Sequence, residues 1–213
     1  MQLILREIIP TFIEKEKVAQ SAVWNRNIVF HKEEHIQIIA PSGSGKTSLI
    51  HFLYGLRKDY TGDILYDDKE TRDFEMEQFA TYRRDYISIV FQDMRLFNEQ
   101  TVFQNIEIKR QLNPFHSQSR IQEMAQRLGI ENKLRKSCKT CSYGEQQRIA
   151  IIRSLQQPFN FLLLDEPFSH LDVNNRNKAL ELIEEEAALR KASIILADLE
   201  RVDSFKTNRV LNL

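Results

Sequence analysis

The stretch Ile36-Gln37-Ile38-Ile39-Ala40-Pro41-Ser42-Gly43-Ser44-Gly45-Lys46-Thr47-Ser48 constrains this chain most. A short apolar run ends in a turn of small residues. The turn opens a helix whose apolar residues Leu49, Phe52, Leu53 and Leu56 recur at helical spacing on one face. Strand, glycine-rich loop, helix is a setting that holds phosphate. Gly43 and Gly45 let the backbone curl so that successive N–H groups point at an anion, and the helix N-terminus adds its partial positive charge. Lys46 reaches the terminal phosphates and the Thr47 hydroxyl ligates magnesium. The strict pattern asks for glycine where this chain has Ala40; the other fixed positions agree.

Composition narrows the remaining classes. Lysine plus arginine and aspartate plus glutamate balance at 30 each, so no net field recruits nucleic acid or an anionic membrane surface. No apolar run is long enough to span a bilayer, and Met1 to Glu7 lacks the form of an export signal. The chain is therefore expected in the cytosol, with any membrane crossed by another polypeptide. Its two cysteines, Cys138 and Cys141, are spaced C-x-x-C. A zinc site needs two further ligands at matching spacing, and a redox pair is the other sharp reading. Incidental placement beside the motif that begins at Cys141 is preferred to both.

Along the chain, residues 1–35 alternate apolar runs (Leu3 to Ile9, Val18 to Trp24, Ile28 to Phe30) with charged breaks such as Glu14-Lys15-Glu16-Lys17, which predicts antiparallel strands and hairpins. Ile64-Leu65-Tyr66 reads as a strand, residues 74–84 as a charged helix, and 86–91 as a second strand ending at Gln92-Asp93. The pattern to about residue 140 is polar and helical, with Ile121, Met124, Ala125 and Leu128 at helical spacing, which predicts an inserted helical subdomain. A helix over 143–156 precedes the apolar strand Phe161-Leu162-Leu163-Leu164, which runs into Asp165-Glu166-Pro167. A helix over 174–190, whose Glu184-Glu185-Glu186 run is read as a solvated face, and a strand from Ser193 to Ala197 complete an alternating β/α series. Parallel strands with ligands at their C-terminal ends are expected. The fold class is α/β, of P-loop NTPase type. An antiparallel β portion comprises residues 1–35 and 60–70, a P-loop core 36–59, 71–91 and 146–213, and a helical subdomain 92–145.

Two carboxylates at the end of an apolar strand need a cation beside them. Magnesium held by Thr47 and phosphate supplies one, with Asp165 orienting its water shell and Glu166 left free to polarise an attacking water.

With these residues in place the chain resembles the ATP-binding cassette (ABC) ATPases. The family's signature, usually Leu-Ser-Gly-Gly-Gln/Glu-Gln-Gln-Arg, is matched by Cys141-Ser142-Tyr143-Gly144-Glu145-Gln146-Gln147-Arg148. Its glutamine loop is matched by Val90-Phe91-Gln92-Asp93, and its D-loop, commonly Ser-Ala-Leu-Asp, by Ser169-His170-Leu171-Asp172. The motifs fall in family order, so the resemblance covers essentially the whole chain as one ATP-binding domain. Residues 90–97 and 101–106 look most like the branch serving lipoprotein release, macrolide export and cell division.

The resemblance implies ATP and Mg2+ as ligands. It implies that Phe12 stacks on adenine, that residues 40–48 (Ala40, Pro41, Ser42, Gly43, Ser44, Gly45, Lys46, Thr47 and Ser48) wrap the phosphates, and that Gln92 touches magnesium and the attacking water. Metal contact then falls to Thr47, Gln92 and, through water, Asp165, with Glu166 and Gln92 as the catalytic pair. Ser142, Gly144 and Glu145 meet the γ-phosphate of ATP held by the opposite subunit of a head-to-tail dimer, homo- or heteromeric, with Ser169 and Asp172 of the D-loop at the dimer contact. The implied partners are a second cassette and a membrane-spanning subunit on a separate chain, which places this chain at the cytoplasmic face of the inner membrane.

Three positions depart from the pattern. Tyr143 replaces a glycine and Cys141 a leucine. Asp198 stands where the family has a switch histidine, and no histidine follows His170. Imidazole donates a hydrogen bond to γ-phosphate, whereas an ionised carboxylate only accepts. Asp198 therefore points to impaired hydrolysis with binding intact, and to an alternative in which the chain is an ATP-gated regulatory subunit. A small-molecule kinase has no use for residues 142–148. A DNA-repair or ribosome-acting cassette is disfavoured by the balanced charge.

Overall fold

The computed structural model describes residues 1–213. The chain begins with strand β1 (Leu3–Pro10), helix α1 (Lys15–Gln20) and strand β2 (Asn27–Phe30). Strand β3 (His35–Ile39) leads through the glycine-rich loop into helix α2 (Lys46–Leu53), followed by strands β4 (Tyr60–Tyr66) and β5 (Lys69–Glu70). Helix α3 (Met76–Asp85), strand β6 (Ile87–Val90) and helices α4 (Val102–Leu112), α5 (Ser119–Arg127) and α6 (Tyr143–Ser154) come next. Strand β7 (Phe161–Asp165), helix α7 (Val173–Arg190) and strands β8 (Ser193–Asp198) and β9 (Arg209–Asn212) close the chain. No helix is long and apolar enough to cross a membrane.

Two sheets result. The first is antiparallel, in the order β2-β1-β4-β5. Its register shifts between Arg6 and Ile9, where Glu7 takes a positive φ of 50°. The bulge explains Gly62 on the facing strand. Its φ is +78°, and a Cβ there would sit 2.4 Å from the Glu7 carbonyl oxygen. The second sheet is parallel throughout, in the order β6-β7-β8-β3-β9. Strand β7, between β6 and β8, is buried along its whole length, so it reads as an unbroken apolar run up to Asp165.

The period-2 alternation of the parallel strands separates two cores. Ile36, Ile38, Phe161, Leu163 and Ile195 pack toward α2 and the antiparallel sheet. Leu162, Leu164, Ile194 and Leu196 pack on the other side, against a helical layer that includes Ile149, Ile152, Leu180 and Ile183. The buried residues of that layer include Ile121, Met124, Ala125 and Leu128, as their spacing predicts. The sheet register matters most for function. Ile39 lies opposite Asp198, Asp165 opposite Ala197, and Val90 opposite Leu164. The C-terminal ends of β3, β6, β7 and β8 therefore line up along one edge, and the loops after them share one cleft.

The structure corrects four readings. Val18 to Trp24 is not a strand: residues 15–20 form α1, and the Ser21 hydroxyl then accepts from the Val23 and Trp24 N–H groups, both at 2.9 Å. That turn drops Val23 and Trp24 into the core. Leu56 lies past the end of α2 and is exposed. Strand β9 was not anticipated; four residues carrying Arg209 and Asn212 give little apolar signal. Glu186 is not solvated but 0% exposed. It pairs with Arg190 (2.6 Å), with Arg120 (3.0 Å) and with His116 (2.6 Å), joining α7 to the helical segment.

Candidate nucleotide site

The glycine-rich loop takes the curled form its sequence predicts. Gly43 and Gly45 have φ of +76° and +96°, a region that L side chains occupy at a cost. At Gly45 space is decisive too, because a Cβ would lie 2.7 Å from Ile13 Cδ1 and 3.0 Å from the Trp24 ring. The Ser44 hydroxyl donates to the Pro41 carbonyl at 2.8 Å, and the Trp24 indole N–H donates to the Ser44 carbonyl at 3.3 Å. Trp24 thus supports the loop from below. Phe12, Ser42, Gly43, Lys46, Thr47 and Glu166 share one cavity of about 460 Å³ with Gly45, Ser48 and Gln92.

Lys46 begins α2 and is only 6% exposed, yet it is fully partnered. Its ammonium lies 2.7 Å from Glu166 Oε1 and 3.5 Å from the Ala40 carbonyl. Glu166 leaves β7 with a positive φ of 46°, its N–H donating to the Ala197 carbonyl at 2.9 Å. A non-glycine residue held in this region is strained, and such strain clusters at functional sites. The backbone turns here so that Glu166 faces Lys46 while Asp165 faces the neighbouring cleft.

Asp165 has the opposite circumstance. It is 0% exposed, and neither carboxylate oxygen accepts a hydrogen bond. Burial pushes its pKa up to about 6, with nearby Thr47 and Lys46 countering only part of the cost. A buried, unpaired carboxylate is expensive unless a cation joins it. Thr47 and Gln92 stand beside it: the Thr47 hydroxyl donates to Gln92 Oε1 at 3.2 Å, and both line a cleft of about 380 Å³ with Asp165, His51, Asp93 and His170. This oxygen-rich donor set around an orphaned carboxylate fits a hard divalent cation such as magnesium.

Asp198 ends β8 directly opposite Ile39, and its carbonyl accepts from Ala40 N–H at 3.1 Å. Its carboxylate accepts from Leu199 N–H at 2.7 Å and lines neither cavity. Burial raises its pKa, and the charge of Glu166 adds to the effect.

The signature residues lie apart from both cavities. Ser142 caps α6: its hydroxyl accepts from Glu145 N–H at 3.3 Å, while Glu145 Oε2 accepts from Ser142 N–H at 2.8 Å. Glu145 also pairs with Lys133 at 2.9 Å. Gly144 is needed for close approach, since a Cβ would lie 2.8 Å from the His170 carbonyl. Tyr143, 67% exposed, has its ring centre 5.2 Å from that of His170, so the residue that replaces the signature glycine packs against the D-loop. In the D-loop Asp172 caps α7, accepting from Asn175 N–H at 2.8 Å. Cys138 and Cys141 are buried free thiols; burial raises both, Cys138 to about 11, which suits packing rather than reactivity.

Gln147 belongs to the signature, but its role is set by the fold. Its buried amide donates to the Glu166 carbonyl (3.2 Å) and to Ser169 Oγ (2.9 Å), and accepts from His170 N–H (3.0 Å). One side chain ties the signature helix, the strained carboxylate turn and the D-loop together. A polar residue among apolar ones on the inner face of α6 was the available signal.

A phosphate-binding loop and paired carboxylates at the C-terminal edge of a parallel sheet define a P-loop nucleotide-binding protein. The particular family follows from sequence: residues 24–169 match the ABC transporter family. Among curated relatives, the glucose import ATP-binding protein GlcV of Saccharolobus solfataricus is 30% identical over 208 residues, covering 96% of this chain and 58% of that protein. The ABC transporter ATP-binding protein YtrE of Bacillus subtilis is 30% identical over 157 residues, covering 72% of this chain and 68% of its own. The dimeric structure of MJ0796, a bacterial ABC transporter cassette, superposes with a TM-score of 0.85 over 99% of this chain and 94% of that one, at 23% identity. The chain belongs to the ABC transporter family. It spans 58% of GlcV and 42% of the molybdate/tungstate import protein WtpC of Pyrococcus abyssi.

Proposed function

We propose that this chain binds ATP with magnesium and hydrolyses it as the energy-coupling subunit of a membrane transporter or related membrane complex. The observation that carries the reading is the buried Asp165 carboxylate, without a hydrogen-bond partner, beside Thr47 and Gln92 at the mouth of the phosphate loop. Loop residues 40–48 wrap the phosphates, Phe12 stacks on the adenine, and Thr47, Gln92 and (through water) Asp165 hold the metal. Bound there, magnesium neutralises phosphate charge and fixes the geometry of the terminal phosphate.

Lys46 gives the site its order of events. Its ammonium now neutralises Glu166 at 2.7 Å. A triphosphate in the loop takes that ammonium, and Glu166 is then free to accept a proton from an attacking water. Ser142, Gly144 and Glu145 line neither of this chain's cavities, and we assign them to the γ-phosphate held by a second cassette in a head-to-tail dimer, homo- or heteromeric. Ser169 and Asp172 meet that partner. A capped helix N-terminus with exposed Ser142 suits an anion arriving across an interface.

The membrane subunit lies on another chain, and this one sits at the cytoplasmic face of the inner membrane. The division into 1–35 with 60–70, 92–145 and the remaining core describes its working parts. For the branch, residues 90–106 favour the lipoprotein-release, macrolide-export and cell-division group. The macrolide export protein MacB of Pectobacterium atrosepticum, 29% identical over 160 residues, is among the relatives.

A second reading rests on Asp198. With a carboxylate where an imidazole donor is expected, the chain binds ATP and dimerises but turns over slowly, acting as a regulator or as partner to a more competent cassette. Steady-state phosphate release by wild type against Glu166→Gln separates the two readings. Equal, near-zero rates end the motor reading. Lys46→Ala that leaves magnesium-dependent ATP affinity untouched ends both.

A further inference from the structure

The cavity above the glycine-rich loop has one aromatic wall, Phe12, half-exposed at 50%. Behind it stands Arg57, which no motif singles out. The guanidinium carbon lies 4.8 Å from the centre of the Phe12 ring and 5.7 Å from that of Phe52. Its nitrogens are all engaged. Nε donates to Asp59 Oδ1 at 2.9 Å, Nη2 pairs with Asp59 Oδ2, and Nη1 donates to Ser48 Oγ at 2.8 Å. Asp59 is itself tied to the strand exit. Its carbonyl accepts from Thr11 N–H at 3.1 Å and from the Thr11 hydroxyl at 3.2 Å, which fixes the residue immediately before Phe12.

Arg57 does not line the cavity that Phe12 lines. Arg57 thus covers part of the Phe12 ring from outside the cavity lining, while half of the Phe12 surface stays exposed to a ligand. Phenylalanine has no hydroxyl by which its tip could be hydrogen-bonded, so packing and the cation set the ring's orientation. A planar guanidinium held in a bidentate fork does this with little residual freedom, which a flexible ammonium cannot reproduce.

We propose that Arg57 is a positioning residue for the purine base. Stacked on Phe12 from outside the cavity lining and anchored by Asp59 and Ser48, it holds the ring for a base on the exposed surface. Through Ser48, in the first turn of α2, it also sets the base wall in register with the phosphate loop. The inference rests on the reading of Phe12 as the adenine-stacking residue. It adds a part that preorganises the site rather than touching the ligand.

The test compares affinities for Mg-ATP and for inorganic tripolyphosphate, which has the charge but no base, in the full chain. Phe12→Ala weakens ATP and spares tripolyphosphate. Arg57→Ala weakens ATP by about three- to tenfold and leaves tripolyphosphate within about twofold. Arg57→Lys keeps the charge but not the fork and falls between Arg57→Ala and wild type. The double variant Phe12→Ala/Arg57→Ala binds ATP no worse than Phe12→Ala alone. Should Arg57→Ala fail to fold, Asp59→Asn loosens the same fork and gives the same selective loss. Equal losses for ATP and tripolyphosphate overturn the proposal, because Arg57 then acts as a charge on phosphate. Unchanged ATP affinity in Arg57→Ala, with Phe12→Ala impaired, overturns it and leaves the stacking reading standing. Unchanged affinity in Phe12→Ala overturns both.

Discussion

Replacing Asp198 should accelerate ATP hydrolysis, and the size of the gain follows from where its carboxylate sits. Asp198 ends its strand opposite Ile39, immediately before the phosphate loop, and its backbone holds Ala40. Two like charges ~4 Å apart at an effective dielectric of ~20 repel by roughly 4 kcal/mol, and at ~8 Å by roughly 2 kcal/mol. Those energies correspond to about a thousandfold and about thirtyfold in rate. The carboxylate is tied back to Leu199 N–H and lines neither cavity, so ~8 Å is taken as the working separation. Asp198→Asn, which removes only the charge, should raise turnover by up to about thirtyfold, the full value applying when the repulsion is felt only in the transition state. Asp198→His adds a donor and should raise it further.

The assay is steady-state phosphate release at saturating Mg-ATP, with Glu166→Gln as the blank. Its pH dependence gives an independent reading. Burial raises the Asp198 pKa, so acidification neutralises it sooner than an ordinary carboxylate. The ratio of Asp198→Asn to wild type should therefore shrink on acidification, at higher pH than an ordinary aspartate would require, because wild type loses the same charge by protonation. Taking the ratio cancels the titration of Asp165, which both proteins share. A ratio of one at every pH, with wild type well above the blank, would refute the electrostatic argument and with it the slow-turnover reading.

Three further outcomes test other parts of the structure. Glu186→Gln leaves Arg190 and Arg120 without their buried anion and should cost about 3–5 kcal/mol in urea unfolding. Burial alone would raise Glu186, but hydrogen bonds from His116, Arg190 and Arg120 outweigh it and hold the pKa at about 2. Its stabilisation is thus fully present above the ordinary glutamate value and is lost as pH falls through the folded one, so the wild-type advantage should be flat near neutrality and fade only in strong acid. Gly62→Ala combines a φ of +78° with a Cβ 2.4 Å from a carbonyl oxygen and should lower the melting temperature by several degrees at least. Gln147→Leu strips three hydrogen bonds from the Glu166 turn and the D-loop. It should reduce turnover more than it reduces ATP affinity, and equal losses in both would show that Gln147 acts only on folding.

The parts legible in the sequence share a physical cause. Strands β7 and β8 are buried in a parallel sheet, so their apolar runs Phe161 to Leu164 and Ile194 to Ala197 are uninterrupted and end where polar loops begin. The phosphate loop announces itself because its geometry admits glycine at Gly43 and Gly45 and little else. Elsewhere the sequence pattern misleads for specific reasons. Val18, Val23 and Trp24 look like one apolar run, but a Ser21 hydroxyl turn breaks it into a helix end and two core anchors. Three successive glutamates on a helix point roughly 100° apart, so all three cannot face water if one side of the helix is packed. Glu186 is the inward one, and its cations come from positions 116, 120 and 190. Arg57 and Gln147 belong to the same class: each acts through partners that only the fold brings near.

That class bears on how the site works as a unit. The cleft edge gathers three carboxylates, Asp165, Glu166 and Asp198, within reach of a single buried ammonium. Lys46 satisfies Glu166, Leu199 N–H satisfies Asp198, and Asp165 has no partner. On the proposed function, a triphosphate that took Lys46 would add negative charge and release Glu166 at once, leaving more anionic than cationic groups at the cleft edge. On the same reading, the orphaned Asp165 would call for a divalent cation to accompany the nucleotide. Gln147 holds the Glu166 turn through a backbone carbonyl, so the carboxylate can change partners without its strand exit moving. The strained φ of Glu166 sends adjacent carboxylates different ways from one strand end, Glu166 toward Lys46 and Asp165 toward the cleft lined by Thr47 and Gln92.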